Sequence, residues 1–196
     1  MNKLKSIAVF CGSSTGNHPL YVEKAKELGI YLGQNDYDLV YGGGNIGLMG
    51  AIANAAIESG SEVTGVLPHF LRKREVGNLA NGKLILVDSM HERKQTMERL
   101  SDGFIAMPGG LGTLDELAEI LTWTQLGLHQ KPIGLYNING YFDTLLSMFD
   151  KMVENGFMKP ENRKMLLVSS KPDELFDQML KYTAPPVPKW LKPDQS

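Results

Sequence analysis

The sequence predicts the α/β class: a doubly wound parallel sheet with helices on both faces. Three observations point there. Short β-branched runs alternate with longer segments of helical period, seven strands against six helices. The short runs are apolar throughout instead of alternating with polar residues, as strands buried on both faces require. The glycines, 21 in 196 residues, gather in loops that directly follow strand runs, chiefly within 42–50 and 109–112.

In chain order, "SIAVF" (6–10) is a strand that ends in the loop "CGSSTG", and a helical pattern starts near Leu20. "DLVY" (38–41) runs into "GGGNIG", with a helix from Gly47. "EVTGVL" (62–67) leads to "PHFLRKREVGN", and "KLILV" (83–87) to "DSMHERK" with a helix from Met90. "GFIAM" (103–107) leads to "PGGLGT" with a helix from Thr113, and "PIGLY" (132–136) to a helix from Tyr141. "MLLVS" (165–169) and a helix from Pro172 complete the pattern. The reading is one Rossmann-like domain over 1–183 and a proline-rich, extended tail, "APPVPKWLKPDQS", over 184–196.

Composition narrows the function classes. A net charge of -2 gives no reason to expect a nucleic acid or an acidic membrane as partner. One cysteine, Cys11, makes an intramolecular disulfide impossible and suits a reducing cytoplasm. The apolar run near the N-terminus is too short for a signal-peptide core, and no run elsewhere could span a bilayer.

Ligands of such sheets bind beyond the carboxyl ends of the strands, so the chemistry is sought in the loops there. "GGGNIG" spells G-x-G-x-x-G, yet it follows the second strand, and the next strand ends in "TGVLPHF" without the acidic residue that would hold a dinucleotide ribose. It reads as a packing turn, or as one wall of a nucleotide pocket that includes Gly43 and Gly44. "MPGGLGTLDE" carries more. Gly109, Gly110 and Gly112 before a helix N-terminus can present free amides to an anion, and Thr113 can add a hydroxyl. No lysine follows, so a monophosphate suits the loop better than a triphosphate.

Glu116 has two readings. "TLDE" has the T-x-x-E spacing of a capping box, in which Glu116 reaches back to a helix start at Thr113. Alternatively it lies in a second apolar row with Ile120 and Trp123. The first row (Leu114, Leu117, Ala118, Leu121 and Leu128) would face the sheet, and the second a partner subunit. In "MHERKQTMERL", Met90, Met97 and Leu100 mark an inward face that includes Arg93, whose guanidinium then needs an anionic partner, a phosphate or Glu116 itself. Lys94 and Arg99 read as solvated.

With these residues in view, the sequence resembles the Lonely Guy family. "PGGLGTLDE" matches its P-G-G-x-G-T-x-x-E signature, and "MHERK" and "GGGNIGLMG" match two further blocks in order and spacing, from the "CGSS" loop to about Tyr182. The resemblance implies a Rossmann-like homodimer that hydrolyses cytokinin riboside 5'-monophosphates, and in many members AMP, to free base and ribose 5-phosphate. It implies Arg93 and Glu116 as the catalytic pair, Lys94 as a substrate contact, and Gly110, Leu111, Gly112 and Thr113, with Gly109 before them, as the phosphate loop. Thr122 and Glu75 fall at positions that contact substrate in plant relatives. Ser13, Gly43 and Gly44 complete the candidate substrate-binding set. No metal and no cofactor is expected. The label lysine decarboxylase, sometimes given to relatives, finds no lysine set in a loop as a Schiff-base site beside a cradle for pyridoxal phosphate. The competing reading is a nucleotide or molybdopterin carrier on the same fold, which needs the glycine loop but not an Arg–Glu pair.

Overall fold

The computed structural model describes residues 3–72 and 82–185. Seven strands form one sheet: β1 (Ser6–Phe10), β2 (Asp38–Tyr41), β3 (Val63–Pro68), β4 (Lys83–Val87), β5 (Gly103–Ala106), β6 (Ile133–Tyr136) and β7 (Leu166–Ser169). Every pairing is parallel, and the spatial order is β4-β3-β2-β1-β5-β6-β7. Each strand lies within one residue of its sequence expectation at either end, because uniformly apolar runs have one good home, a sheet covered on both faces. β4, on the edge, is the least buried.

The helices are α1 (Pro19–Gln34), α2 (Gly47–Glu58), α3 (Met90–Arg99), α4 (Leu111–Leu126), α5 (Asp143–Glu154), the single turn α6 (Pro160–Arg163) and α7 (Pro172–Lys181). Side chains alternate across the sheet. Ile7 and Val9 of β1 pack with α1, α2 and α7, through residues such as Leu28, Ile52 and Phe176. Ala8 and Phe10 pack on the other face, with Met97 of α3 and Leu117 and Ile120 of α4.

Three helix expectations need correction. α4 starts at Leu111 with Gly110 as N-cap, two residues before Thr113, and no side chain caps it. The T-x-x-E box is therefore not formed there. A close variant of the box forms at the start of α3: Ser89 Oγ, on the N-cap, accepts from the Glu92 N–H (3.1 Å), and Glu92 reaches back one residue past the cap to the Asp88 N–H (2.8 Å). α5 starts at Asp143 instead of Tyr141, after a short 3-10 turn. The inward row of α4 is Thr113, Glu116, Leu117, Ile120 and Thr124, while Leu114, Ala118 and Leu128 are exposed and Leu121 is half-buried. The two apolar rows exist, but the one containing Ile120 faces the sheet. Trp123 packs at the margin of that same core. Most of the proline-rich tail (186–196) lies outside the described residues.

From β1 the chain winds outward through β2, β3 and β4, then returns to place β5 against the free side of β1. Loops after β1 and β5 diverge there, and a crevice opens between them. Gly12 spans it with its backbone. Its N–H donates to the Pro108 carbonyl (3.0 Å), and its own carbonyl accepts from Leu48 N–H (3.0 Å) at the start of α2.

Candidate active site

The two glycine loops differ in what their amides do. The N-terminus of α2, behind "GGGNIG", is closed by the Gly12 carbonyl, which takes the Leu48 N–H and, at 3.4 Å, the Met49 N–H. The N-terminus of α4 has no such cap. Among the described residues, the N–H groups of Gly110, Leu111, Gly112 and Thr113 have no acceptor, and the first amide with one is Leu114, bonded to the Gly110 carbonyl. At Gly110 and Gly112 a Cβ would meet nothing within 4 Å, so this end of the helix is open. Unpaired amides at a positive helix end make an anion cradle.

The cradle borders a cleft of about 240 Å³. One wall is the loop after β1, with Gly12, Ser13, Ser14 and Thr15; the other is Pro108, Gly109 and Gly110, with Tyr21, Leu48 and Tyr141 closing the ends.

One helical turn past Gly112, Glu116 turns inward and meets Arg93. Arg93 Nη1 donates to Glu116 Oε1 at 2.8 Å, and Arg93 Nε donates to the Val66 carbonyl at 3.1 Å. The two side chains are only 10% and 8% exposed. The guanidinium lies across Gly42, where any Cβ would strike its Nη2. The glycine of the first loop is thus space for Arg93. Burial pushes the Glu116 carboxyl above its usual value of 4.5, and the Arg93 charge and hydrogen bond pull the other way. Ion pairing therefore does not fully offset the loss of hydration. Cys11, at the end of β1, feels both charges; burial first, then Glu116, push its thiol upward and keep it protonated.

Lys94 is not the solvated residue that its neighbours suggested. Its Nζ bonds Glu119 (2.9 Å) and Asp115 (3.2 Å), with the side chain 15% exposed. Burial alone would lower its pKa, but hydrogen bonds to these two carboxylates raise it instead. Lys94 thereby straps α3 to α4 beside the ion pair. Met90 and Leu100, expected to face inward with Arg93, are 38% and 40% exposed, so of that apolar set only Met97 is core.

Of the other candidates, Ser13 is exposed on the cleft, and Leu111 is exposed at the cradle. Gly109 is pressed between Thr113 and the loop after β1. Gly43 and Gly44 are buried, and Gly43, at φ 77°, fits between Leu67 and Leu84. Thr122 lies on the exposed side of α4, its hydroxyl donating to the Ala118 carbonyl (2.7 Å). Glu75 falls outside the described residues. Sequence reasoning missed Tyr21, Tyr141, Leu48 and Gly12. For Tyr141 a signal existed in "NING", whose Asn139 and Gly140 both adopt positive φ just before it. Among the described residues no group of three or more His, Cys, Asp or Glu side chains could hold a metal ion, and no helix is long and apolar enough to cross a membrane.

Residues 49–179 match the family model described as "possible lysine decarboxylase". The chain is 48% identical to the cytokinin riboside 5'-monophosphate phosphoribohydrolase LOG1 of Arabidopsis thaliana, over 92% of this chain and 85% of that one. It is 45% identical to the probable enzyme of that name, LOGL2, of Oryza sativa subsp. japonica, over 93% of this chain and 75% of the other. Among solved structures it is similar to the molybdenum cofactor binding protein of Rippkaea orientalis, with TM-score 0.68, 23% identity and coverage of 92% and 98%. It is also similar to the molybdenum cofactor carrier protein of Chlamydomonas reinhardtii, with TM-score 0.67, 20% identity and coverage of 92% and 100%. At those identities the likeness is one of fold.

Proposed function

We propose, for a chain that belongs to the Lonely Guy family of cytokinin riboside 5'-monophosphate phosphoribohydrolases, that it hydrolyses the N-glycosidic bond of adenosine 5'-monophosphates, N6-prenylated or plain. Water adds its oxygen to C1', and its proton leaves with the free base, giving ribose 5-phosphate. The 5'-phosphate binds the open amides of α4, which fixes the ribose within reach of α4's second turn. Glu116, ionised, faces the positive charge that builds on the sugar as the bond to the base stretches. Arg93, with one fork nitrogen on the carboxylate and another on the Val66 carbonyl, serves as a clamp that holds and orients Glu116. Lys94, by strapping α3 to α4, keeps the clamp in place.

The observation that carries this reading is the buried Arg93–Glu116 pair one turn behind an uncapped helix start. A carrier needs the helix start alone; burying an ion pair whose carboxyl is held above its usual range costs stability that mere binding does not require. The single cysteine, buried and protonated, supports a reducing cytoplasmic setting. The exposed row Leu111, Leu114 and Ala118 supports a homodimer, since a monomer would leave it in water.

The test is incubation of purified protein with isopentenyladenosine monophosphate, AMP and adenosine, with free base read by chromatography. Both nucleotides release base. Adenosine is poorer in kcat/KM by roughly 100-fold or more, because binding energy from the phosphate is used at the glycosidic bond. Equal turnover of adenosine and AMP refutes the phosphate-anchored mechanism.

A further inference from the structure

We infer that Tyr141 is a positioning residue for the phosphate cradle, acting through the Gly109 carbonyl to keep the Gly110 amide turned to its anion; this rests on the reading that the cradle takes a 5'-phosphate. Tyr141 Oη donates to the Gly109 carbonyl at 2.5 Å, a contact between residues 32 apart in sequence. In a trans peptide the carbonyl and the following N–H point in opposite directions. A bond that holds Gly109 C=O toward Tyr141 therefore also fixes the direction of Gly110 N–H. Glycines on both sides of this peptide leave its rotation nearly free of side-chain hindrance. The opposite orientation would present a carbonyl oxygen where the cradle needs a donor, and an anion would be repelled. One neutral hydrogen bond biases such an equilibrium by roughly two- to tenfold.

The chain builds a rigid arm for this hydroxyl. Asn139 and Gly140 stand at φ 52° and 68°, a consecutive left-handed pair that reverses the chain after β6. The Asn137 side chain then locks the turn from inside, with Oδ1 accepting from Phe142 N–H (2.8 Å) and Nδ2 donating to Asp143 (2.7 Å). Phe142, next to Tyr141, is fully buried. On its other side the Tyr141 ring meets Tyr21 edge-on, with centroids 6.0 Å apart. Tyr141 itself is 44% exposed on the rim of the cleft, so burial of its own ring does not account for the arrangement. The elements that fix it are spent on placing one hydroxyl against one glycine carbonyl.

The experiment compares wild-type protein with Tyr141→Phe, which keeps the ring and loses the hydroxyl, and with Tyr31→Phe, a hydroxyl deletion on α1 where the ring packs against Phe176 and does not line the cleft. Calorimetry with ribose 5-phosphate reads the cradle directly, and steady-state kinetics with AMP read KM and kcat separately. The expected result is a three- to tenfold rise in both the ribose 5-phosphate Kd and the AMP KM for Tyr141→Phe. Its kcat stays within twofold and its adenosine turnover is unchanged, because adenosine has no phosphate to lose. Tyr31→Phe matches wild type throughout. Tyr141→Leu, which also removes the ring, repeats at least the same rise, and melting curves on each preparation show that the proteins compared are folded. A folded Tyr141→Phe with wild-type Kd and KM overturns the role of Tyr141 and leaves the proposed reaction standing. A fall in kcat shared equally by AMP and adenosine also overturns it, since that marks general damage. Wild-type protein that binds no ribose 5-phosphate and cleaves no AMP overturns both.

Discussion

Replacing Glu116 by Gln separates chemistry from folding. The carboxyl is buried and sits 2.8 Å from Arg93 Nη1, a setting in which loss of an ion pair can unfold a protein. The direction of its pKa argues otherwise: held above 4.5 mainly by burial, the carboxylate is no more stabilising than the neutral acid. Gln has the shape of that acid and still offers an oxygen to Arg93. The cost is then about that of weakening one hydrogen bond, under ~1.5 kcal/mol. At roughly 2–4 °C per kcal/mol for a domain of this size, Tm falls by no more than about 6 °C. On the proposed mechanism turnover needs the negative charge opposite the sugar, and it falls by at least about 10³, or ~4 kcal/mol of transition-state stabilisation. The sign of the pH effect follows from the same shift. Native protein holds this proton more tightly than unfolded chain, so Glu116's contribution is fully present below pH 4.5 and is lost as pH rises through its raised folded value. The stability gap between wild type and Glu116→Gln is therefore widest at acid pH and narrows above it, while the acid limb of kcat/KM lies above 4.5. Differential scanning calorimetry and AMP hydrolysis on one preparation measure both. A Glu116→Gln protein that melts well below wild type yet keeps its rate in the folded fraction refutes the reasoning.

Arg93→Lys replaces a fork that holds Val66 and Glu116 together with a single ammonium. It loses about 1–3 kcal/mol of stability in urea unfolding and at least ~100-fold in kcat; a full rate would mean that charge alone suffices. Gly112→Ala adds a methyl in open space on a helical backbone. Its Tm holds or rises, by ~0.5–1 kcal/mol in stability, while the AMP KM rises because the methyl enters the cradle; an unchanged KM places the phosphate elsewhere. If the proposed homodimer forms through the exposed row of α4, Leu114→Asp yields monomers by light scattering without loss of Tm in the protomer, and an assembly state unchanged from wild type refutes this face as the interface. Trp123, at the margin of the protomer's own core, is not a clean probe of assembly.

What could be read from the sequence divides along a physical line. Strands were legible because each is a short, largely apolar run, and β2, β3 and β5 are also ended by a glycine or proline at or just past their last residue, so local signals and burial agree. The need of Arg93 for a partner was legible, because a guanidinium on an inward face must find an anion; that the anion is Glu116 and not a phosphate was left open by the sequence and is seen in the 2.8 Å contact. The orientation of α4 was not legible. Its leucines at 114, 121 and 128 outvote the threonines at 113 and 124 in any apolar count, yet the threonines face in, because Arg93 on another helix draws Glu116 toward the sheet. Lys94 failed for a related reason: its partners Asp115 and Glu119 come from a helix 21 and 25 residues away. No periodicity within α3 encodes a cross-helix strap. The Tyr141 hydroxyl was invisible because its target is a backbone carbonyl, which every residue has.

The backbone of Gly12 has a consequence for anyone who would move this site to another scaffold. A motif such as "PGGLGT" looks like a portable cassette, to be pasted after any parallel strand. Here its first carbonyl is occupied by the Gly12 amide, and the Gly12 carbonyl in turn closes α2. Three loops from three strands are thus stitched through one peptide link on each side of a single residue. The smallest unit that can be grafted is the trio, with β1, β2 and β5 in their native spacing. A nick in the chain at Gly12 would release the start of α2 and the Pro108 loop at once, whereas one at the exposed turn of Gly60, after α2, would leave the stitch whole.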